Sequence, residues 1–245
     1  MIPRYFVVAE RDHELQNPTS EEKLHLLGRR IRLAPGSRVL DIASGRGGPA
    51  ILLAQEFGCT VAGIEIAPEF HAAAVERAMR AGVADLVSFR LADASREELA
   101  ADAFDAALCL GASFVYGGLA ATLDALEPSV RPGGHVVVGE PYWRSWPLPE
   151  DYDERDEPFT SLDGTVAIVE SGALRVVTLI DSSRDDWDRY ETLHWRAVEE
   201  WLEEHPGDPD ADEVRAAHQR WKRTYLRHGR DLLGWAIFVA RKPTA

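Results

Sequence analysis

Three carboxylates and two glycines are spaced for binding a small, partly cationic ligand. Asp41 stands at the end of an apolar run, four residues before Gly45 in Ser44-Gly45-Arg46-Gly47-Gly48-Pro49. Such a run reads as a strand feeding a tight glycine turn and then a helix, whose first N–H groups lack partners. Glu65 closes the next apolar run, 20 residues after Gly45. A carboxylate there can accept both hydroxyls of a ribose. Asp93 follows a third run and can accept from an adenine amino group. Gly45-x-Gly47-x-x-Ala50 also fits a dinucleotide-binding turn. Asp41 argues against that reading, because a carboxylate beside a pyrophosphate is unfavourable, whereas it suits an ammonium and a sulfonium.

A second set of residues is placed for work on an acceptor molecule. Glu140 ends another strand-length run and is the leading candidate acid or base. Tyr116 and His13 are further candidates. Trp187, Tyr190, His194, Val198 and Trp201 recur at spacings of 3, 4, 4 and 3, which puts them on one helix face. Tyr190 and His194 add polar tips to that face and are the helix's candidate catalytic residues. Val198 and Trp201 read as packing. No two histidines stand at i, i+4, so no helical zinc site is expected.

The elements needed to position these residues follow in order. A helix is expected over 20–33, with Thr19 and Glu22 as its capping box. Strands are expected at 38–43, 60–66, 86–91, 104–110 and 135–140, with helices at 48–57, 69–81, 96–101 and 119–127 between them. This alternation predicts an α/β fold with right-handed crossovers and a mostly parallel sheet. After Glu140, a helix at 162–171, a strand at 175–180, two helices at 185–205 and 210–228, and a strand at 235–240 complete the expectation. The first 18 residues read as irregular. Residues 150–157 hold six acids and one Arg and read as a solvated loop. Residues 1–18 and 150–160 flank the expected mouth and are expected to order over ligand.

Composition narrows the partners. The 245 residues carry a formal charge of −14 and no basic half, so nucleic acid and anionic membrane are not expected partners. The uncharged stretch Ala106–Leu123 contains three glycines and is flanked by Asp105 and Asp124, which argues for strand, loop and helix rather than a membrane span. Two cysteines are too few for a disulfide framework and suit a reducing, cytoplasmic setting. All seven Trp lie after residue 142.

The motifs VLDIASGRGG, VAGIEIAP, LADA and the RPGG turn, in that order, resemble the class I S-adenosylmethionine-dependent methyltransferases over about residues 36–141. The resemblance implies a doubly wound, Rossmann-like sheet of seven strands in a single domain, with a helical cap at about 184–230 before the last strand. It implies that Asp41, Ala43, Gly45 and Gly47 surround the methionine part of the cofactor. Glu65 would hold the ribose, Ile66 and Ala94 the adenine with Asp93, and Leu110 and Gly111 would lie beside the sulfonium. Ala43 replaces the first glycine of the family's D-x-G-x-G-x-G pattern, which is tolerable if its φ is negative. His13…Asn17-Pro18, Gly139-Glu140-Pro141-Tyr142-Trp143-Arg144 and the Trp187–Leu202 helix resemble a group of uncharacterised bacterial methyltransferases. Leu110-Gly111-Ala112-Ser113-Phe114 lacks the Asn/Asp-Pro-Pro-aromatic segment of enzymes that methylate nucleic-acid or peptide amino groups. A small-molecule acceptor, methylated by in-line displacement with S-adenosylhomocysteine as product, is therefore expected. A nicotinamide-dependent oxidoreductase and a cofactor-binding regulator remain as alternatives.

Overall fold

The computed structural model describes residues 3–244. Its centre is one seven-stranded sheet: β1 Arg38–Ile42, β2 Thr60–Glu65, β3 Val87–Leu91, β4 Phe104–Leu110, β5 Val130–Trp143, β6 Arg175–Asp181 and β7 Leu233–Arg241. The strand order is β3-β2-β1-β4-β5-β7-β6. β7 runs antiparallel to both neighbours, and every other pairing is parallel. The order reverses between β1 and β4. In open α/β sheets that reversal leaves a crevice beyond the carboxyl ends of the strands.

The central strands are apolar along their length because helices cover both faces. Leu108, Val137, Ile237 and Phe238 have no exposure. Burying each such side chain contributes roughly 1.5–3 kcal/mol. On the flanks lie α2 Glu21–Arg30, α3 Gly48–Phe57, α4 Pro68–Arg80, α5 Leu119–Leu126 and α6 Leu162–Val169. The expected cap is α7 Arg184–Glu204 and α8 Ala211–Thr224, placed between β6 and β7 in the chain.

Several boundaries differ from the sequence expectation. Residues 4–9 are not irregular but form α1 (Arg4–Ala9). Six residues do not hold a helix alone; Tyr5, Val8 and Ala9 are buried in a cluster with Val198, Trp201 and Val214 of α7 and α8. The cap of α2 is Ser20, whose hydroxyl accepts from the Lys23 N–H, rather than Thr19. The helix expected at 96–101 is a single 3₁₀ turn, Ala94–Arg96, after which Glu97 is extended. β5 continues to Trp143 because β7 pairs with it that far, through Trp143 and Leu233. The 150–157 segment is anchored rather than fully solvated: Tyr152 is buried and its ring lies 5.6 Å from that of Trp143.

Candidate active site

The glycine turn follows from β1 entering the crevice and reversing into α3. Gly47 caps α3 with φ +78°, a conformation that favours glycine. A Cβ on it would also meet the Phe89 ring at 2.7 Å. Ala43 departs from the sequence expectation. Its φ is +53°, not negative, so the chain accepts a left-handed alanine where a glycine would be unstrained.

Glu65 holds the turn. Its Oε2 accepts from the Gly45 N–H at 2.8 Å, and its Oε1 accepts from the Ala67 N–H at 2.7 Å. Each oxygen retains a lone pair. Asp41 lies beneath, 2% exposed, and its Oδ2 is buried without a partner. Burial, reinforced by the Glu65 charge, pushes its carboxyl up to about 7. An acid left in that state is a place for a cation. Ile66 is 58% exposed despite its apolar side chain, as an adenine-contacting residue would be without its ligand. Ala94 and Leu110 are buried, and Gly111 takes φ +73° at the end of β4.

Asp93 is engaged locally. Its Oδ1 accepts from the Ser95 N–H at 3.1 Å and from the Ser95 hydroxyl at 2.6 Å, and its Oδ2 pairs with Arg96 at 3.1 Å. The Ser95 hydroxyl bond is the main reason its carboxyl is held below the usual range. It caps the 3₁₀ turn, and its free capacity toward an adenine is smaller than the sequence suggested.

The N-terminal segment crosses this turn, which sequence spacing did not reveal. The Gln16 Oε1 accepts from the Arg46 N–H at 2.6 Å, and Asn17 donates to the Leu110 carbonyl at 3.1 Å. Gly45 and Gly111 lie under these two side chains, and a Cβ at either position would clash with them. The only sequence signal was the Asn17-Pro18 break.

Beyond the ends of β4 and β5 a cavity of about 330 Å³ opens. Asn17, Pro18, Gly111 and Pro141 form the side nearest the turn. Trp187, Tyr190 and His194 of α7 face it, with Tyr5 and Phe6 of α1 and Trp221 of α8. Tyr225, in the π-helical turn Tyr225–Gly229 that follows α8, joins them, as do Glu154, Glu157 and Glu191. Thus the α7 face divides as its residue types suggest: Trp187, Tyr190 and His194 meet the cavity, while Val198 and Trp201 pack against α1 and α8. Sequence reasoning missed Glu191 and Glu154: Glu191 shares the face of Trp187 and His194 but is a charged residue among apolar ones, and Glu154 stands in an acidic run.

Tyr190 and His194 converge on a buried acid from the N-terminal segment. The Tyr190 hydroxyl donates to Glu10 Oε1 at 2.8 Å, and His194 Nε2 lies 2.9 Å from the same oxygen. His13 Nε2 lies 2.9 Å from the Tyr190 carbonyl, which assigns its proton to Nε2. Its Nδ1 then faces Glu10 Oε2 at 3.6 Å, and both atoms lack a hydrogen bond. Burial opposes the Glu10 charge, but the His194 hydrogen bond and the two imidazoles outweigh it and lower its pKa. Burial lowers that of His13. Glu10, His13 and His194 offer possible metal-ligating atoms within 4.8 Å of one another, a grouping that the i, i+4 search could not find. The hydrogen bonds above account for most of its geometry.

Glu140 and Tyr116 do not join this group and are not among the cavity walls. Glu140 is 8% exposed; its Oε2 accepts from the Ser113 hydroxyl at 3.1 Å and its Oε1 is unpartnered. Burial pushes its carboxyl up to about 7, and neither Arg144 nor Arg189 pairs with it. Tyr116 donates to the Ala94 carbonyl at 3.4 Å and packs on the α5 side of the sheet.

Sheet order and glycine turn define a doubly wound α/β fold with a ligand crevice at its strand ends. The comparisons make that class specific. Residues 39–134 match the methyltransferase domain family. An S-adenosylmethionine-dependent methyltransferase from Geobacter sulfurreducens, solved with S-adenosyl-L-homocysteine, is 39% identical with a TM-score of 0.92 over 98% of each chain. A counterpart from Thiobacillus denitrificans, also with S-adenosyl-L-homocysteine, is 35% identical with a TM-score of 0.91 over 98% of each chain. The uncharacterised Escherichia coli protein YjhP is 36% identical over 243 residues, 97% of this chain and 98% of that one. The chain belongs to the class I S-adenosylmethionine-dependent methyltransferases. Its cofactor is S-adenosylmethionine and its reaction is methyl transfer; these likenesses lend no support to the nicotinamide and regulator readings.

Proposed function

We propose that the chain acts as one methyltransferase domain on a small-molecule acceptor held in the aromatic cavity. The observation that carries this reading is the cavity's position, opening at Gly111 and Pro141 where β4 and β5 end beside the glycine turn. Asp41, with Ala43, Gly45 and Gly47, holds the methionine part of the cofactor. The unpartnered Asp41 oxygen supports this, since a buried carboxylate gains most from a cationic neighbour. Glu65 takes the ribose; Ile66, Ala94 and Asp93 take the adenine; Leu110 and Gly111 border the sulfonium.

The bound cofactor supplies an electrophilic methyl group on sulfur. The chain's own contribution is alignment and exclusion of water. Asn17 and Gln16 close the N-terminal segment over the turn. Tyr190 and His194 meet the acceptor, and Glu10 fixes their orientation by accepting from both. Glu140 is a positioning residue: through Ser113 it holds the loop after β4 against the end of β5. Tyr116 keeps a similar place beside Ala94.

No helix among the described residues is long and apolar enough to cross a membrane. The two buried free thiols, Cys59 and Cys109, accord with a cytoplasmic enzyme of bacterial type. Incubation with labelled methyl donor and a metabolite extract tests the function. Label is expected in a low-molecular-weight product and not in nucleic acid. Label in nucleic acid alone, or in no product while donor binds, would refute the small-molecule reading.

A further inference from the structure

The walls of the aromatic cavity carry three acids, and His194 is the one basic side chain among the described residues that lines it. Glu154, Glu157 and Glu191 line it, and no Lys or Arg does among the described residues. Several basic side chains nearby are committed elsewhere, and Arg220, close enough to Tyr5 for its charge to act there, is exposed. Arg230 holds Asp188 through two bonds of 2.9 and 2.8 Å, Arg227 pairs with Asp151, and the Lys222 ammonium lies over the Trp195 ring at 4.7 Å. Glu191 forms no ion pair among the described residues. Burial pushes its carboxyl up to about 7, and burial raises that of Glu154 as well. Tyr152 donates to one Glu154 oxygen at 2.7 Å, which leaves the other free to face the cavity.

Between these acids stand aromatic rings. Trp187 lies 6.3 Å from both the Tyr190 and the Tyr225 ring, stacked with the second and edge-on to the first. Tyr5, Phe6 and Trp221 complete that side. Ring faces attract a cation, and more strongly where water is excluded. An anionic acceptor would meet three carboxylates with no counter-charge but that of His194, and a neutral one would leave the half-buried Glu191 without an ion-pair partner.

We infer that the acceptor is an alkyl amine, held as an ammonium by Glu191 and Glu154 among the rings of Trp187, Tyr190 and Tyr225. The inference rests on the methyl-transfer reading and assigns its acceptor atom as nitrogen. For a protonated amine, one N–H proton passes to the Glu191 carboxylate and frees the nitrogen lone pair. The nitrogen then forms a bond to the methyl carbon as the carbon–sulfur bond breaks. Sulfur keeps that electron pair, so the sulfonium becomes a neutral thioether and the positive charge moves to nitrogen. No further reactant is needed.

The test uses three probes of similar shape on the full chain saturated with S-adenosylhomocysteine: phenethylamine, 2-phenylethanol and 3-phenylpropanoate. Calorimetry is expected to show phenethylamine binding at least tenfold more tightly than the other two. Glu191→Gln and Glu154→Gln should each reduce that preference several-fold while S-adenosylhomocysteine affinity is unchanged. Equal or tighter binding of the alcohol or the carboxylate, or an amine preference untouched in both variants, would overturn the amine assignment alone. Failure of S-adenosylhomocysteine to bind the unaltered protein would instead overturn the methyl-transfer reading on which the assignment rests.

Discussion

The glycine turn buries its carboxylates, the aromatic cavity only half-buries Glu154 and Glu191, and the two compensate them differently. At the turn, Glu65 is satisfied by two backbone N–H groups from its own βα unit. That arrangement is local and rigid before any ligand arrives. In the cavity, Glu191 has no ion-pair partner among the described residues, and its surroundings come from α1, the 150–160 segment, α7 and the turn after α8. On the proposed reading the turn is built to receive one fixed ligand, and the cavity is completed by the acceptor. Asp41 belongs to the turn by position and to the cavity by condition: it is incompletely partnered and pushed toward neutrality.

Breaking the turn should have the largest effect. Glu65→Ala removes both the proposed ribose contact and the bonds to the Gly45 and Ala67 amides. Affinity for S-adenosylhomocysteine should fall by about 100-fold or more, read by calorimetry, since charged hydrogen bonds contribute roughly 1.5–3 kcal/mol each. An affinity within threefold of the unaltered protein would show that the turn does not hold the cofactor.

Asp41→Asn separates stability from binding. The Asp41 pKa is raised on folding, so the folded state holds its proton more tightly. Its carboxyl therefore costs no stability at low pH, and the cost grows as pH rises from about 4 to about 7, where it levels off. Without ligand, the variant should be more stable above pH 7.5 by up to about 4 kcal/mol, with the gain vanishing near pH 4. Urea unfolding at both pH values reads this. S-adenosylhomocysteine should bind the variant at least tenfold more weakly. A variant less stable at pH 8 than the unaltered chain would contradict the uncompensated-acid account.

In the cavity, Tyr190→Phe keeps the ring and removes the hydroxyl bond to Glu10. Turnover should fall about tenfold with little change in cofactor affinity. Comparable losses in both would place Tyr190 in the cofactor half instead. The smallest effect is expected at Ala43. Ala43→Gly relieves a left-handed alanine and should stabilise the protein by about 1 kcal/mol in the same unfolding assay. Destabilisation would mean that the methyl group packs well enough to outweigh the strain.

The same contrast explains how much was legible in the sequence. The strands, their parallel arrangement and the proposed cofactor residues depend on spacings within single βα units, which sequence records directly. Asp41 and Glu65 therefore stand at the ends of β1 and β2, and Gly45 in the turn between β1 and α3, as their spacing predicts. Ala43 carries the opposite backbone sign from that expected, because a residue type does not report its own φ. α1 was invisible because its six residues are stabilised by α7 and α8, more than 170 residues away in sequence. Glu10 and His194 meet only through such long-range packing, and Glu154 and Glu191 come from separate elements that tertiary packing brings to one cavity. Composition after residue 142 indicated aromatic walls but not which acids would stand among them. Glu140 is legible as a strand-end carboxylate, but its Ser113 partner, 27 residues away, is not.

A crystal structure with S-adenosylhomocysteine tests the central claim most directly. The account predicts the ribose hydroxyls on Glu65, the amino group near Asp41, and the sulfur beside Gly111 with its methyl direction toward Trp187 and Tyr190. Ligand bound elsewhere, or with its sulfur turned away from the aromatic cavity, would contradict it.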